Sequence, residues 1–178
     1  MPDVERRGSG WRGGLFLIIA ACVVALDQIS KLWIRSNIAL YESVHIFGCL
    51  SLTNVRNTGS AFGLFVNQAF LLALIGVVGV VAILLFYRYF SKSNLLGVSA
   101  LSLVFGGAIG NLIDRFRFGY VTDFIDVRLW RDFHWPSFNV ADSAITVGSI
   151  VLVVFIFLTF RKEDGSSSKN RSQNSAAH

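Results

Sequence analysis

Residues 95–115 read LLGVSALSLVFGGAIGNLIDR, an apolar run that ends in charge. No residue from Leu95 to Ile113 is charged. That approaches the roughly 20 residues a helix needs to cross a bilayer, and a helix is required because lipid cannot satisfy exposed backbone groups. Gly106, Gly107 and Gly110 fall within the run and let a neighbouring helix come close. The run closes on Asn111, Asp114 and Arg115, polar groups that are expensive at membrane depth. Lying within one or two turns, they can face a common polar pocket or simply form a buried ion pair that fixes the helix end.

Three further runs flank this one, giving spans at about 13–34, 68–87, 95–113 and 139–160. The first is apolar from Gly13 to Leu26 and continues through Asp27 and Lys31. The uncharged part of the fourth begins near Ala144. Of the 178 residues 53% are hydrophobic and only 15% charged, against about 25% in soluble chains, so lipid is the expected solvent for much of the surface. The mean hydropathy of +0.58 agrees. A net charge of +5 could suggest nucleic acid, but the basic residues sit in short groups between apolar runs, where lipid headgroups and insertion orientation account for them. No nucleic-acid partner is expected.

Lysine and arginine set the orientation. Arg6, Arg7 and Arg12, then Arg88 and Lys92, then Arg161, Lys162, Lys169 and Arg171 share one side. This places both termini in the cytoplasm, with residues 1–12 as a short cytoplasmic segment and longer loops, about 36–67 and 114–138, outside. Residues 163–178, rich in Ser, Asn and Lys, read as a disordered cytoplasmic tail. The N-terminus also resembles a secretory signal, with a lipoprotein-like box at Ile19 to Cys22, but the apolar run continues past the cysteine. A GxGxxG match at Gly8 to Gly13 follows no strand and is accidental. Two cysteines, Cys22 and Cys49, and three scattered histidines, His45, His134 and His178, offer no thiol framework and no metal motif.

Polar side chains gather at the outer ends of the spans. Asp27 and Lys31 are spaced i,i+4 on one helix face, an ion pair by itself. Ser51 to Arg56 alternates as a short strand, and Asn57-Thr58-Gly59-Ser60 follows as a tight turn. Asp123 lies among β-branched and aromatic residues, and Asp142 stands at the mouth of the fourth span beside Asn139, Ala141 and Ser143. Carboxylates in such settings are poorly hydrated, and two held close cannot both ionise easily. One proton shared between them lets one acid take a proton from water while the other donates to a carbonyl oxygen. The spacing equally allows snorkelling or ion-coordinating acids. No GxSxG occurs, and neither Ser60 nor Ser143 has a neighbouring base in sequence.

The ordered set Asp27-Gln28-Ile29-Ser30-Lys31, Asn57-Thr58-Gly59-Ser60-Ala61-Phe62, Gly110 to Arg115, Val121-Thr122-Asp123-Phe124 and Phe138 to Ser143 resembles the lipoprotein signal peptidase family, bacterial signal peptidase II. The resemblance implies an all-α integral membrane protein of four transmembrane helices, with a small extracytoplasmic β-cradle drawn from the first outer segment. It implies an aspartyl endopeptidase of the bacterial inner membrane, residues 13–162, that cuts diacylglyceryl-modified prolipoproteins just before the lipidated cysteine at the extracytoplasmic interface. Asp123 and Asp142 are then the catalytic pair. Asn57, Gly59, Asn111, Arg115 and Asn139 shape the site and hold substrate, while Asp27, Lys31, Asp114, Ala141 and Ser143 support it. No metal or cofactor is implied, the partners are prolipoprotein and membrane lipid, and a monomer is expected. Ser60 departs from the alanine usual in the family's turn. A second reading is a small proton- or cation-coupled transporter subunit relaying through Asp27, Asp114, Asp123 and Asp142; it predicts acids spread through membrane depth and internal repeats, and no repeat is found. A third is a structural subunit that docks through its polar cluster.

Overall fold

In a computed structural model, residues 3–59, 68–90, 95–130 and 133–175 are described. Four helices carry the architecture: α1 (Asp3–Asn37), α2 (Ala69–Phe90), α3 (Leu95–Phe118) and α4 (Val140–Ser175). Each contains a segment long and apolar enough to cross a membrane, at Trp11–Asn37, Phe70–Arg88, Leu95–Phe118 and Val140–Arg161. Leu17, Ile18, Leu85 and Phe157 are among the many large apolar side chains left exposed on the bundle's outside, as expected where the surrounding solvent is lipid.

The central helix is α3, which packs against α1, α2 and α4, and its small residues explain how. A methyl group at Gly106 would lie 2.9 Å from the Ala20 carbonyl oxygen on α1, and one at Gly110 only 2.6 Å from Asp27 Oδ2. At Gly107 it would collide with the Ala141 carbonyl oxygen of α4. Backbones thus touch where lipid supplies no hydrophobic drive between helices. Gly107→Ala is expected to push α3 from α4 and cost about 1–3 kcal/mol by overpacking. Gly79→Ala on α2, where an added carbon meets nothing within 4 Å, should melt like wild type in detergent. Equal melting of the two variants would refute this account. Nearer the other end of the bundle, Phe16, Val98 and Leu101 form a buried cluster against Ile83, Tyr87, Phe105 and Leu152.

α3 does not stop at the charges. It runs on to Phe118 and ends on Gly119, whose φ of 74° and N–H bond to the Arg115 carbonyl (3.0 Å) make a left-handed cap. Asp114 and Arg115 are therefore helical, not the opening of an outer loop. The outer segments between helices build one antiparallel sheet in the order β1 (Ser43–Phe47), β2 (Leu50–Asn57), β3 (Val121–Trp130), β4 (Phe133–Phe138). The cradle thus draws equally on the second outer segment, where a loop was expected. Leu52 pairs with Ile125 but Val55 with Asp123, so β2 holds one extra residue at a bulge around Thr53 and Asn54. Both bulge residues are buried, and Asn54 Nδ2 donates to the Ile38 carbonyl at 2.8 Å. Ile34, Ile38 and Phe124, with Leu52, Ile125 and Val140 around them, seat the sheet on the end of α1.

The C-terminal region also differs from expectation. Residues 163–175 continue α4 where a disordered tail was expected. Extending a formed helix adds a hydrogen bond per residue without paying for a new nucleus, which polar composition alone does not reveal.

Candidate active site

Asn139 is the hinge of the site. It sits between the end of β4 and the start of α4, fully buried, and caps the helix. Its Oδ1 accepts from the Asp142 N–H at 2.8 Å, while Asp142 Oδ2 accepts from the Asn139 N–H at 3.3 Å, a reciprocal capping box. The carboxyl of Asp142 is thereby fixed at the positive end of α4. Asn139 Nδ2 reaches the other way, donating to Asp123 Oδ1 at 2.7 Å. Asp123 Oδ2 accepts from Asn57 Nδ2 at 2.8 Å, and Asn57 Oδ1 accepts the Gly59 N–H at 3.0 Å, closing the turn after β2. Asn111 on α3 completes the bridge, since its Nδ2 donates to Asp142 Oδ1 at 2.8 Å and its Oδ1 accepts from Asn139 Nδ2 at 3.2 Å. Two carboxyls on different elements are thus held by three amides.

Beneath them lies a buried ionic layer. Lys31, with no exposed surface, donates to Asn111 Oδ1 at 3.0 Å and pairs with Asp27 Oδ2 at 2.8 Å and Asp114 Oδ2 at 3.5 Å. Asp27 Oδ1 accepts the Ala141 N–H, and Asp114 Oδ2 the Thr122 N–H. Arg35 Nη1 donates to Thr122 Oγ1 at 2.9 Å and lies 3.6 Å from Asp114 Oδ1. Gln28 Nε2 donates to Asp27 Oδ2 and to the Gly110 carbonyl. This layer locks α1, α3, β3 and α4 together.

A cavity of about 880 Å³ opens over the two acids. Asn57, Gly59, Asn111, Arg115, Asp123, Asp142 and Ser143 line it, with Val55, Val121, Trp135, Phe138, Ile145 and Val147 as apolar walls. Val147 is half exposed on the lipid-facing side of α4, so the cavity reaches the edge of the bundle. The Asp123 carboxyl is raised to about 7, chiefly because burial strips its water, then because the Asp142 charge is near; the amides of Asn57 and Asn139 and the charge of Lys31 oppose this. Among the described residues no three His, Cys, Asp or Glu side chains are grouped as metal ligands.

Of the residues singled out in the sequence, Asn57, Gly59, Asn111, Arg115, Asp123, Asp142 and Ser143 meet at the cavity. Asn139 is behind it, and Asp27, Lys31, Asp114 and Ala141 are buried beneath. Ser143 Oγ donates to the carbonyl of the cap residue Asn139. Ser60 lies outside the described residues. The parts taken by Arg35, Gln28 and Thr122 were not foreseen. Arg35 had a signal, since Asp27, Lys31 and Arg35 repeat at i, i+4, i+8 on one face. Trp135 and Thr146, which also lines the cavity, had none.

Fold and site define a multi-pass membrane protein with a polar centre built round two carboxyls. A family model described as Signal peptidase (SPase) II matches residues 19–158. The lipoprotein signal peptidase of Syntrophotalea carbinolica is 46% identical over 144 residues, covering 79% of this chain and 89% of that protein. That of Moorella thermoacetica is 46% identical over 138 residues, covering 77% and 89%. A bacterial membrane enzyme solved by the in meso method at 2.3 Å superposes with a TM-score of 0.76 at 33% identity, over 81% of this chain and 88% of that one. The chain belongs to the signal peptidase II family of lipoprotein signal peptidases.

Proposed function

We propose that this chain is an endopeptidase that removes the signal peptide of diacylglyceryl-modified prolipoproteins just before the lipidated cysteine, with Asp123 and Asp142 activating water. The observation that carries the reading is the amide bridge: Asn139 and Asn111 hold both carboxyls on one cavity while each acid keeps an edge towards it.

The pair carries one proton between its members. The ionised acid takes a proton from water as the water oxygen bonds to the scissile carbonyl carbon, and the protonated acid donates to the carbonyl oxygen. The resulting tetrahedral diol collapses with cleavage of the C–N bond. The acid that took the proton from water gives it to the leaving amine, a diol hydroxyl passes its proton to the other carboxylate, and the pair returns to its single shared proton. Water and two carboxyls suffice for this balance. Substrate enters sideways from the lipid past α4, its signal helix staying in the bilayer, and the site sits at the extracytoplasmic surface of the inner membrane with both chain termini in the cytoplasm. The protein acts as a monomer. All four acids of the transporter reading, Asp27, Asp114, Asp123 and Asp142, belong to one network at one end of the bundle rather than to a path across it.

Because Asp123 holds its proton up to about pH 7, kcat/KM is expected to fall tenfold per unit as pH rises beyond that value, where both acids become ionised. A basic limb that stays flat to pH 9 would contradict this. The test of the function itself is cleavage of a synthetic diacylglyceryl prolipoprotein by purified protein in detergent with a chelator present. Cleavage before the modified cysteine supports the reading. Failure of folded protein to cleave refutes it, and activity lost only to chelator would recast the acids as metal ligands.

A further inference from the structure

Arg35, Arg56 and Arg117 stand at the acid-bearing end of the bundle, opposite to Arg88 and Arg161, so insertion orientation does not account for them. Helix-dipole complementarity explains a base in the last turn of α1 or α3, as at Arg35 and Arg117, but not Arg56, which is on β2. What the three share is a pair of rings. Gly119, left-handed at the cap of α3, turns the chain so that Phe118 and Tyr120 stack with centroids 5.7 Å apart and planes at 28°. Cζ of Arg35 and of Arg117 lie 4.7 Å and 5.2 Å from the centre of the Phe118 ring, and Cζ of Arg56 lies 4.9 Å from that of Tyr120. Arg56 pairs with Thr122, two residues after Tyr120, which makes it a diagonal neighbour of that ring. Arg35 is tied to the same place through Thr122 Oγ1 and lies 3.6 Å from Asp114 Oδ1. Arg56 and Arg117 are exposed, and among the described residues neither has a carboxylate within ion-pair distance. Like charges gathered in this way repel until an anion joins them. Stacking occupies the flat face of a guanidinium and leaves the N–H groups round its rim to donate. The cluster also lies at the membrane edge, since Phe118 closes the α3 span and Phe116 is 69% exposed.

We infer that Arg35, Arg56 and Arg117, seated on the Phe118 and Tyr120 rings, bind the phosphate of an anionic membrane phospholipid. The phosphodiester oxygens take paired N–H bonds from the guanidinium rims, and the acyl chains continue into the bilayer past the exposed ring of Phe116. The site is separate from the reacting acids, because Arg56 and Thr122 face the opposite side of the sheet from Asn57, Val121 and Asp123. Arg56 also borders the cavity, so a bound headgroup fixes how deep the two acids sit. Nothing in this depends on the peptidase reading.

The experiment measures phosphatidylglycerol binding to the purified full chain in neutral detergent by native mass spectrometry, with phosphatidylcholine as the reference of no net charge. Arg56→Gln with Arg117→Gln is expected to weaken phosphatidylglycerol binding roughly 10- to 30-fold, about a factor of five per basic residue, and to leave phosphatidylcholine binding unchanged. Arg56→Lys with Arg117→Lys keeps the charge without the planar fork and should also bind more weakly than wild type. Undiminished binding by the glutamine pair, or wild-type binding by the lysine pair, would overturn the proposal. So would an equal loss from Arg88→Gln with Arg161→Gln at the other end, which would mean diffuse attraction. Displacement of the lipid by millimolar inorganic phosphate would make the occupant a soluble anion and overturn it too. In wild type, phosphatidylglycerol carrying a diazirine near its headgroup should label residues 116–120; labelling confined to other segments refutes the site without any variant having to fold.

Discussion

Asp123→Asn and Asp142→Asn are each expected to lower the proposed cleavage of diacylglyceryl prolipoprotein by at least about 10³-fold, while the protein still folds. An amide keeps the shape of either side chain but can neither take a proton from water nor return one. The two variants should differ in what they do to the fold. In Asp142→Asn the new amide can keep an oxygen as acceptor for the Asn139 N–H, but its NH2 then meets the donating Nδ2 of Asn111. In Asp123→Asn the new amide faces donors on both sides, from Asn57 and Asn139, and so loses one of those bonds. Against that loss stands the relief of a costly burial. The folded carboxyl of Asp123 titrates at about 7 instead of 3.8, so between those values the folded chain binds a proton that the unfolded chain has released. Stability from this group is therefore lost as pH rises through that window. Asp123→Asn removes the titration, and its melting temperature should vary less with pH between 4 and 7 than that of wild type. Activity assays and detergent melts on the same preparations separate the two effects; near wild-type turnover by either variant would end the two-acid assignment.

Lys31→Ala is expected to be the most damaging single change to stability. The ammonium has three donors and three acceptors, Asp27, Asp114 and Asn111, so nothing about it is unsatisfied. Removing it leaves the charges of two fully buried carboxylates without their shared cation, and breaking a buried pair in this way costs about 3–5 kcal/mol. A drop of roughly 10 °C in the detergent melt follows for a chain of this size. Cleavage should fall too, because Lys31 also fixes Asn111, which holds Asp142. Asp27→Asn combined with Lys31→Met removes charge from both partners and should melt higher than Lys31→Ala alone. A single variant that melts with wild type would mean the ionic layer contributes nothing net.

The four spans were legible because hydropathy reports directly what lipid demands. So was the pairing of Asp27 with Lys31, since helical spacing is local. Hydropathy, however, measures tolerance of lipid and not helix, which is why the run ended at Ile113 while the helix itself continues to Phe118. The β3–β4 hairpin was missed for a different reason. Val121 to Trp130 carries charges on both faces and takes its register from β2, roughly 70 residues earlier in the chain. No local pattern encodes that partner. The meeting of Asp123 with Asp142 likewise depends on Asn139 being at once strand end, helix cap and amide bridge. Each of those roles is visible in the sequence only once the other elements are in place.

The bulge at Thr53 and Asn54 imposes a rule of counting on β2. Along an unbroken strand, even and odd positions never share a side. Leu52, which helps seat the sheet on α1, is even; Asn57, which holds Asp123, is odd. Their β3 partners, Ile125 and Val121, are both odd, and only the extra residue in β2 reconciles the two series. The interval from anchor to amide must therefore keep its parity. Losing or gaining one residue there would turn Asn57 away from the acid, whereas a change of two would return it, so natural length variation in this stretch should come in pairs.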